Sequence, residues 1–104
     1  MEHKHELLLC VVNAGYSQNV MEAARSAGAK GGTIVRARGT ANPESEEFFN
    51  ITIRPDKEIV MIVAVEEVKD AIMKAVYKEC GPTTGAQGLL FSLPVSRTTT
   101  LKED

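Results

Sequence analysis

The chain has 104 residues, the size of one domain, and we expect a single domain over residues 1–104. Hydrophobic residues make up 43% of it and charged residues 25%, which is typical of a folded protein and excludes a wholly disordered chain. The formal net charge of -2 gives no general attraction for nucleic acid or anionic lipid, so we expect neither as a partner.

Signals for export and membrane insertion are absent from the sequence. Residues 1–10 lack the apolar core and the cleavage site of a signal peptide, and no apolar run approaches the roughly 18 residues of a membrane span. We therefore expect a cytoplasmic protein that is not inserted in a membrane. Cys10 and Cys80 match no zinc or redox spacing, so we expect two reduced thiols rather than a disulfide.

The first part of the chain has the pattern of a strand, a helix and a second strand. Residues 7–12 form a short apolar run rich in branched side chains, typical of a strand buried on both faces. Ser17 is predicted to cap a helix, and Gly28 to stop it in a left-handed conformation. Thr33–Arg38 begins with β-branched residues and predicts the second strand.

The second part predicts two further strands and a second helix. Residues 48–53 alternate in part, and a bend at Pro55 separates them from a strand over residues 58–65. Residues 66–80 carry an apolar stripe at helical spacing. Residues 89–95 predict the last strand.

The predicted order is βαββαβ, which is the ferredoxin-like arrangement of the α+β class. It places two helices on one face of a four-stranded antiparallel sheet. The first and third strands are apolar at nearly every position, so the helix-free face would expose a larger apolar patch than monomers usually carry. We therefore expect an oligomer.

Three stretches of the sequence resemble the P-II family of nitrogen regulatory proteins. They are LLLCVVNAGYSQNVMEAA at 7–24, GAKGGTIVRARGT at 28–40, and GAQGLLFSL at 85–93 together with the helix that begins Glu66-Glu67-Val68. The resemblance implies a P-II-like homotrimer with ligand clefts between subunits and a loop that controls a client, either a membrane transporter or a metabolic enzyme. It implies signal transduction rather than an enzyme, and no catalytic set of residues is visible in the sequence.

The same resemblance implies a nucleotide site. Thr33 resembles the threonine near the base, Gly39 the glycine at the root of the client loop, and residues 85–88 the loop beside the phosphates. Arginines at the loop root suit phosphate or carboxylate because a guanidinium group makes paired hydrogen bonds. The expected ligand is a small anion such as ATP, ADP or AMP. The predicted ligand-binding residues are Thr33, Arg36, Arg38, Gly39, Thr40, Gly85, Ala86, Gln87 and Gly88.

The sequence departs from the family pattern at four places. Leu89 stands where the family has its phosphate-loop lysine, unless Ala86-Gln87 is an insertion that displaces this lysine, and Glu58 stands where the family has a lysine before the third strand. The arginine pair that the family has near the C-terminus is reduced to Arg97 and Lys102. The client loop is short and contains no tyrosine, so we expect no regulation by uridylylation. The predicted client-binding residues are Ala41, Asn42, Pro43, Glu44, Ser45, Glu46 and Glu47.

Two other functions fit parts of the sequence. The chain is compatible with an interaction module that binds its client without a ligand, or with a CutA-like trimer associated with metal tolerance. Glu44, Glu46 and Glu47 suit either a basic partner or a hard cation, although a solvated loop has the same composition. His3 and His5 have a spacing that can share a metal, but they are predicted to lie in a frayed terminus before the first strand, so no metal is expected.

Overall fold

The computed structural model describes residues 4–40 and 55–99. Within these ranges the predicted order of elements is confirmed. The first strand is longer than its apolar run at both ends, and the third begins before residue 58. The elements are β1 (His5–Asn13), α1 (Ser17–Ser26), β2 (Thr33–Arg38), β3 (Asp56–Val65), α2 (Glu66–Cys80) and β4 (Leu89–Val95).

The strands form one antiparallel sheet in the order β2-β3-β1-β4, with both helices on one face. This confirms the ferredoxin-like fold. β1 and β3 occupy the two central positions, which require side chains that can be covered on both faces, and their nearly continuous apolar sequences meet that requirement. β2 and β4, the less apolar or shorter strands, are at the edges.

The core lies between the sheet and the helices. Residues paired across antiparallel strands point to the same face, so Leu8 lies beside Ile62 and Cys10 beside Val60, all fully buried. α1 packs against them through small side chains such as Ala24, which lets this helix lie close to the sheet. Its chain leaves the helix through Gly28, whose φ of 116° confirms the predicted left-handed conformation.

The opposite face of the sheet has no helix over it, and we call it the open face. Along β1 it carries Leu7, Leu9 and Val11, which are only partly buried. The neighbouring strands add large apolar side chains with exposed fractions between 39% and 61%. These are Val35, Val63, Val65, Leu89, Phe91 and Leu93. Contiguous exposed apolar surfaces are characteristic of interaction sites in general.

The predicted N-cap of the first helix is wrong. α1 begins at Ser17, and no side chain of its own N-terminal turn caps it. Instead Glu58 of β3 reaches it, and its Oε1 accepts hydrogen bonds from the N–H groups of Gly15 (2.8 Å) and Ser17 (3.4 Å). The antiparallel register causes this, because it sets Glu58 opposite Val12 and so beside the turn into α1. The carboxylate also complements the positive end of the helix dipole.

The expected frayed terminus is also wrong at His5, which is the first residue of β1 and is 7% exposed. β3 and β4 both extend far enough to pair with it, at Val65 and Val95. His3, residues 41–47 and residues 48–53 lie outside the described ranges. Among residues 4–40 and 55–99, no three His, Cys, Asp or Glu side chains form a metal-binding group.

Cys10 and Cys80 are free and buried, as the sequence predicted. Burial, and the proximity of Cys80, raise the pKa of Cys10 to about 12. Burial also raises the pKa of Cys80, so both thiols are uncharged at neutral pH. No helix in the part of the chain that the structure describes is long and apolar enough to cross a bilayer.

We expect Glu58→Gln to lower the free energy of unfolding by about 1 kcal/mol at neutral pH, because it weakens the cap of α1. The hydrogen bond from the N–H of Gly15, with smaller contributions from Ser17, holds the pKa of Glu58 below its ordinary 4.5. A lowered pKa makes this contribution complete above about pH 4.5 and removes it as the pH falls through the folded-state value.

Urea unfolding at about pH 7 and about pH 3 tests this prediction, since the difference between wild type and variant should shrink in acid. Glu22→Gln, on the exposed side of α1, is the matched control. An equal difference at both pH values would show that the carboxylate of Glu58 does not cap the helix.

Candidate effector-binding site

The glycine-containing loop at residues 85–88 joins α2 to β4, and Asn13 holds it in place. Asn13 is the last residue of β1 and is 3% exposed. Its backbone N–H donates to the carbonyl of Ala86 (2.9 Å), and its Nδ2 donates to the carbonyl of Gly85 (3.0 Å) and to Oε1 of Gln87 (3.4 Å). One buried residue therefore fixes three consecutive residues of the loop.

The loop also uses part of its own hydrogen-bonding capacity. The N–H of Gln87 donates to Thr84 (3.0 Å), and the N–H of Gly88 donates to Cys80 (2.9 Å). A Cβ at Gly88 would overlap that same carbonyl oxygen of Cys80, so the tight turn requires glycine there. The loop has fewer amide groups to offer an anion than its composition indicated, and its role in binding stays a prediction.

The root of the client loop is held where the chain returns to the sheet. The N–H of Gly39 donates to the carbonyl of Pro55 (2.7 Å). Gly39 also lies against the side chain of Lys57, since a Cβ at this position would be 3.2 Å from Cε of Lys57. Thr40, the next residue, is exposed.

A direct link joins this root to the glycine-containing loop. Nζ of Lys57 donates to Oδ1 of Asn13 at 2.6 Å. Asn13 thus bonds Lys57 through its oxygen and Gly85 through its nitrogen, while Lys57 packs on Gly39. We call these four residues the Asn13 bridge. It connects the two predicted functional loops within one chain.

The two arginines of β2 are exposed, and each lies opposite a carboxylate of β3. Arg36 pairs in register with Glu58, and Arg38 pairs with Asp56. The charge of Arg36 contributes to the lowered pKa of Glu58. Both arginines are free to meet a ligand, but nearby negative charge reduces the local positive potential.

Thr33 lies apart from the rest of the predicted site. It is at the other end of β2, about 16 Å from Arg38 at the rise of a strand, and its side chain points to the opposite face of the sheet. It pairs with Met61 in register and is exposed on the open face.

The root arginines and the loop at 85–88 are at the same end of the sheet but at opposite edges. β2 and β4 are separated by two central strands, which at the usual spacing sets them about 14 Å apart. A single protomer therefore links the two halves of the predicted ligand site through the Asn13 bridge but does not bring them into direct contact.

The sequence model of the family "Nitrogen regulatory protein P-II" matches residues 5–104 of this chain. The chain belongs to the P-II family. This confirms the resemblance and assigns the protein to a family of regulators. Among curated proteins, none matches this chain.

Solved structures show the same fold at low sequence identity. Arabidopsis thaliana PII bound to citrate is 20% identical, with a TM-score of 0.69 over 91% of this chain and 78% of that one. A Bacillus cereus protein related to NIF3 is 13% identical, with a TM-score of 0.70 over 91% of this chain and 26% of that one. A protein of unknown function from Pediococcus pentosaceus is 13% identical, with a TM-score of 0.67 over 96% and 100% of the two chains.

Sequence patterns did not identify Asn13 or Lys57 as site residues. Asn13 is the last residue of β1 and Lys57 is the second residue of β3, so each lies where a central apolar strand meets a loop. That position was the available signal, because a polar side chain buried there must find partners among neighbouring loops.

We expect Asn13→Ala to lower the free energy of unfolding by about 1–3 kcal/mol, because the carbonyl of Gly85 and Nζ of Lys57 both lose a partner. Amide hydrogen exchange at Gln87 and Gly88 should accelerate as the loop loosens. Asn19→Ala, on the exposed side of α1, is the control and should change stability by less than about 0.5 kcal/mol. Equal effects of the two variants would contradict the bridge.

Proposed function

We propose that the protein is a P-II-like homotrimeric signalling protein, formed by one domain over residues 1–104 and acting in the cytoplasm. It binds a small anionic effector in clefts between subunits and controls a membrane transporter or a metabolic enzyme through residues 39–47. The observation that carries this proposal is the position of the two half-sites at opposite edges of one end of the sheet. A neighbouring copy whose β2 edge meets the β4 edge of the first would complete the site.

The open face supports assembly of this kind. Covering side chains such as Val63, Phe91 and Leu93, each 40–45% exposed, contributes about 1–2 kcal/mol apiece. Their contiguity over β1, β3 and β4 favours another apolar sheet as the covering surface, and a second and third copy of this chain supply one. Assembly and ligand binding then depend on the same neighbours.

The charges present suit an effector with modest negative charge. Arg36 and Arg38 lie opposite carboxylates, and Leu89 adds no cation at the start of β4. We therefore expect AMP or ADP to compete well with ATP, and we expect no metal. A small polycarboxylate is a second ligand class, because the Arabidopsis PII structure holds citrate.

The Asn13 bridge supplies a route from ligand to client. An effector that contacts residues 85–88 shifts the loop carbonyls to which Asn13 donates hydrogen bonds. Asn13 in turn positions Lys57 against Gly39. Effector binding therefore selects among arrangements of the loop root, and one of these arrangements fits the client.

Isothermal calorimetry with ATP, ADP, AMP and citrate tests the effector site. We expect binding to the oligomer that weakens about tenfold in Arg38→Gln, since a hydrogen bond to a charged group is lost. Arg25→Gln, in the last turn of α1, is the matched control and should bind as wild type does. A verified trimer that gives no heat with any of these ligands would favour the ligand-independent interaction module.

Size-exclusion chromatography with light scattering tests the assembly. We expect a trimer for the wild type and a folded monomer for Phe91→Glu, because a charge on the open face cannot be buried without a partner. Ala71→Glu, on the exposed side of α2, should leave the mass unchanged. A monomeric wild type would contradict the proposal.

A further inference from the structure

A cavity of about 390 Å³ lies on the helix side of the sheet, between the second half of α2 and β4. Its volume is within the range of small-molecule sites. The α2 residues Met73, Val76, Tyr77 and Cys80 line it at helical spacing, and Leu90 lines it from the sheet. The cavity is separate from the root arginines, which lie on the other edge strand.

The floor of the cavity is apolar and uncharged. Cys10, Val76 and Cys80 form it, and each is at most 2% exposed. The two thiols are protonated because burial raises their pKa. An occupant of this part gains by removing apolar surface from water and finds no group to bind a charge.

The mouth of the cavity has one positive charge. Lys74 is exposed there, one turn before Tyr77, and within the described ranges no carboxylate or hydrogen-bond acceptor pairs with it. Two backbone N–H groups of the lining are already used, since Gly81 donates to the carbonyl of Tyr77 (2.9 Å) and Gly88 donates to the carbonyl of Cys80 (2.9 Å). A phosphate, which needs several donors, is therefore a poorer match than an anion of single charge.

We propose that this cavity binds a small monocarboxylate with an apolar body, such as a medium-chain fatty acid or an aryl carboxylate. The body lies between α2 and β4, and the carboxylate meets Lys74 at the mouth. Gly88 belongs both to this cavity and to the predicted effector loop, but the rest of the lining lies on α2 and β4 and suits another class of ligand. Octanoate and the nucleotides therefore test the two proposals separately.

Octanoate is the probe, and octan-1-ol, which has the same chain length without the charge, is its control. Calorimetry on the full chain should give one octanoate per protomer, and amide shifts in nuclear magnetic resonance should map to Met73, Tyr77 and Gly81. Lys74→Gln should lower the affinity for octanoate about two- to fivefold and leave the affinity for octan-1-ol unchanged. Lys78→Gln is the matched control, since Lys78 lines a polar groove beside Glu22 and Ser26 instead.

Three results would overturn the proposal. The first is that octanoate causes no amide shifts, or causes them only on the open face. The second is that Lys74→Gln and Lys78→Gln lower the affinity for octanoate equally, which would show that surface charge alone attracts it. The third is that octanoate does not bind and Tyr77→Glu dissociates the oligomer, which would make the cavity an interface between copies. The fold tolerates this change because the side chain of Tyr77 is 63% exposed.

Discussion

β1 is hydrogen-bonded along both edges and carries apolar side chains on both faces, and two helices can cover only one of those faces. This constraint governs the rest of the molecule. The covered face becomes the core, in which Leu8 and Cys10 are fully buried, and the side chains of the open face stay partly exposed. The proposed assembly also involves the edge strands, because neighbouring copies that cover the open face would bring the β2 edge of one copy to the β4 edge of another.

The polar end of the same strand supports the functional loops. Where the apolar alternation of β1 stops, Asn13 is buried and must satisfy both its amide nitrogen and its oxygen. It does so with the loop at 85–88 on one side and with Lys57 on the other. A residue required by hydrogen-bond satisfaction thereby becomes the connection between the proposed ligand loop and the root at Gly39.

Charge is distributed unevenly around this frame. Glu58 both caps α1 and lies opposite Arg36, so one carboxylate stabilises a helix and lowers the positive potential at the loop root. Lys74, on the same face but near the β4 edge, makes no ion pair among the described residues. The two proposed binding regions therefore differ in chemistry, with a shared and polar cleft at one place and an apolar cavity with a single cation at the other.

Hydrophobic periodicity and the order of elements determined the fold class from sequence alone, because these signals are local. The resemblance to the P-II family rested on the sequence stretches at 7–24, 28–40 and 85–93. The residues of β2 and of the loop at 85–88 were likewise predicted as ligand-binding residues from the same resemblance. Only the tertiary structure decided that Glu58 rather than Ser17 caps α1, that His5 is buried, and that Asn13 meets Lys57. Each of these depends on antiparallel register, which brings together side chains about 40 to 60 positions apart, and no local pattern in the chain records that pairing.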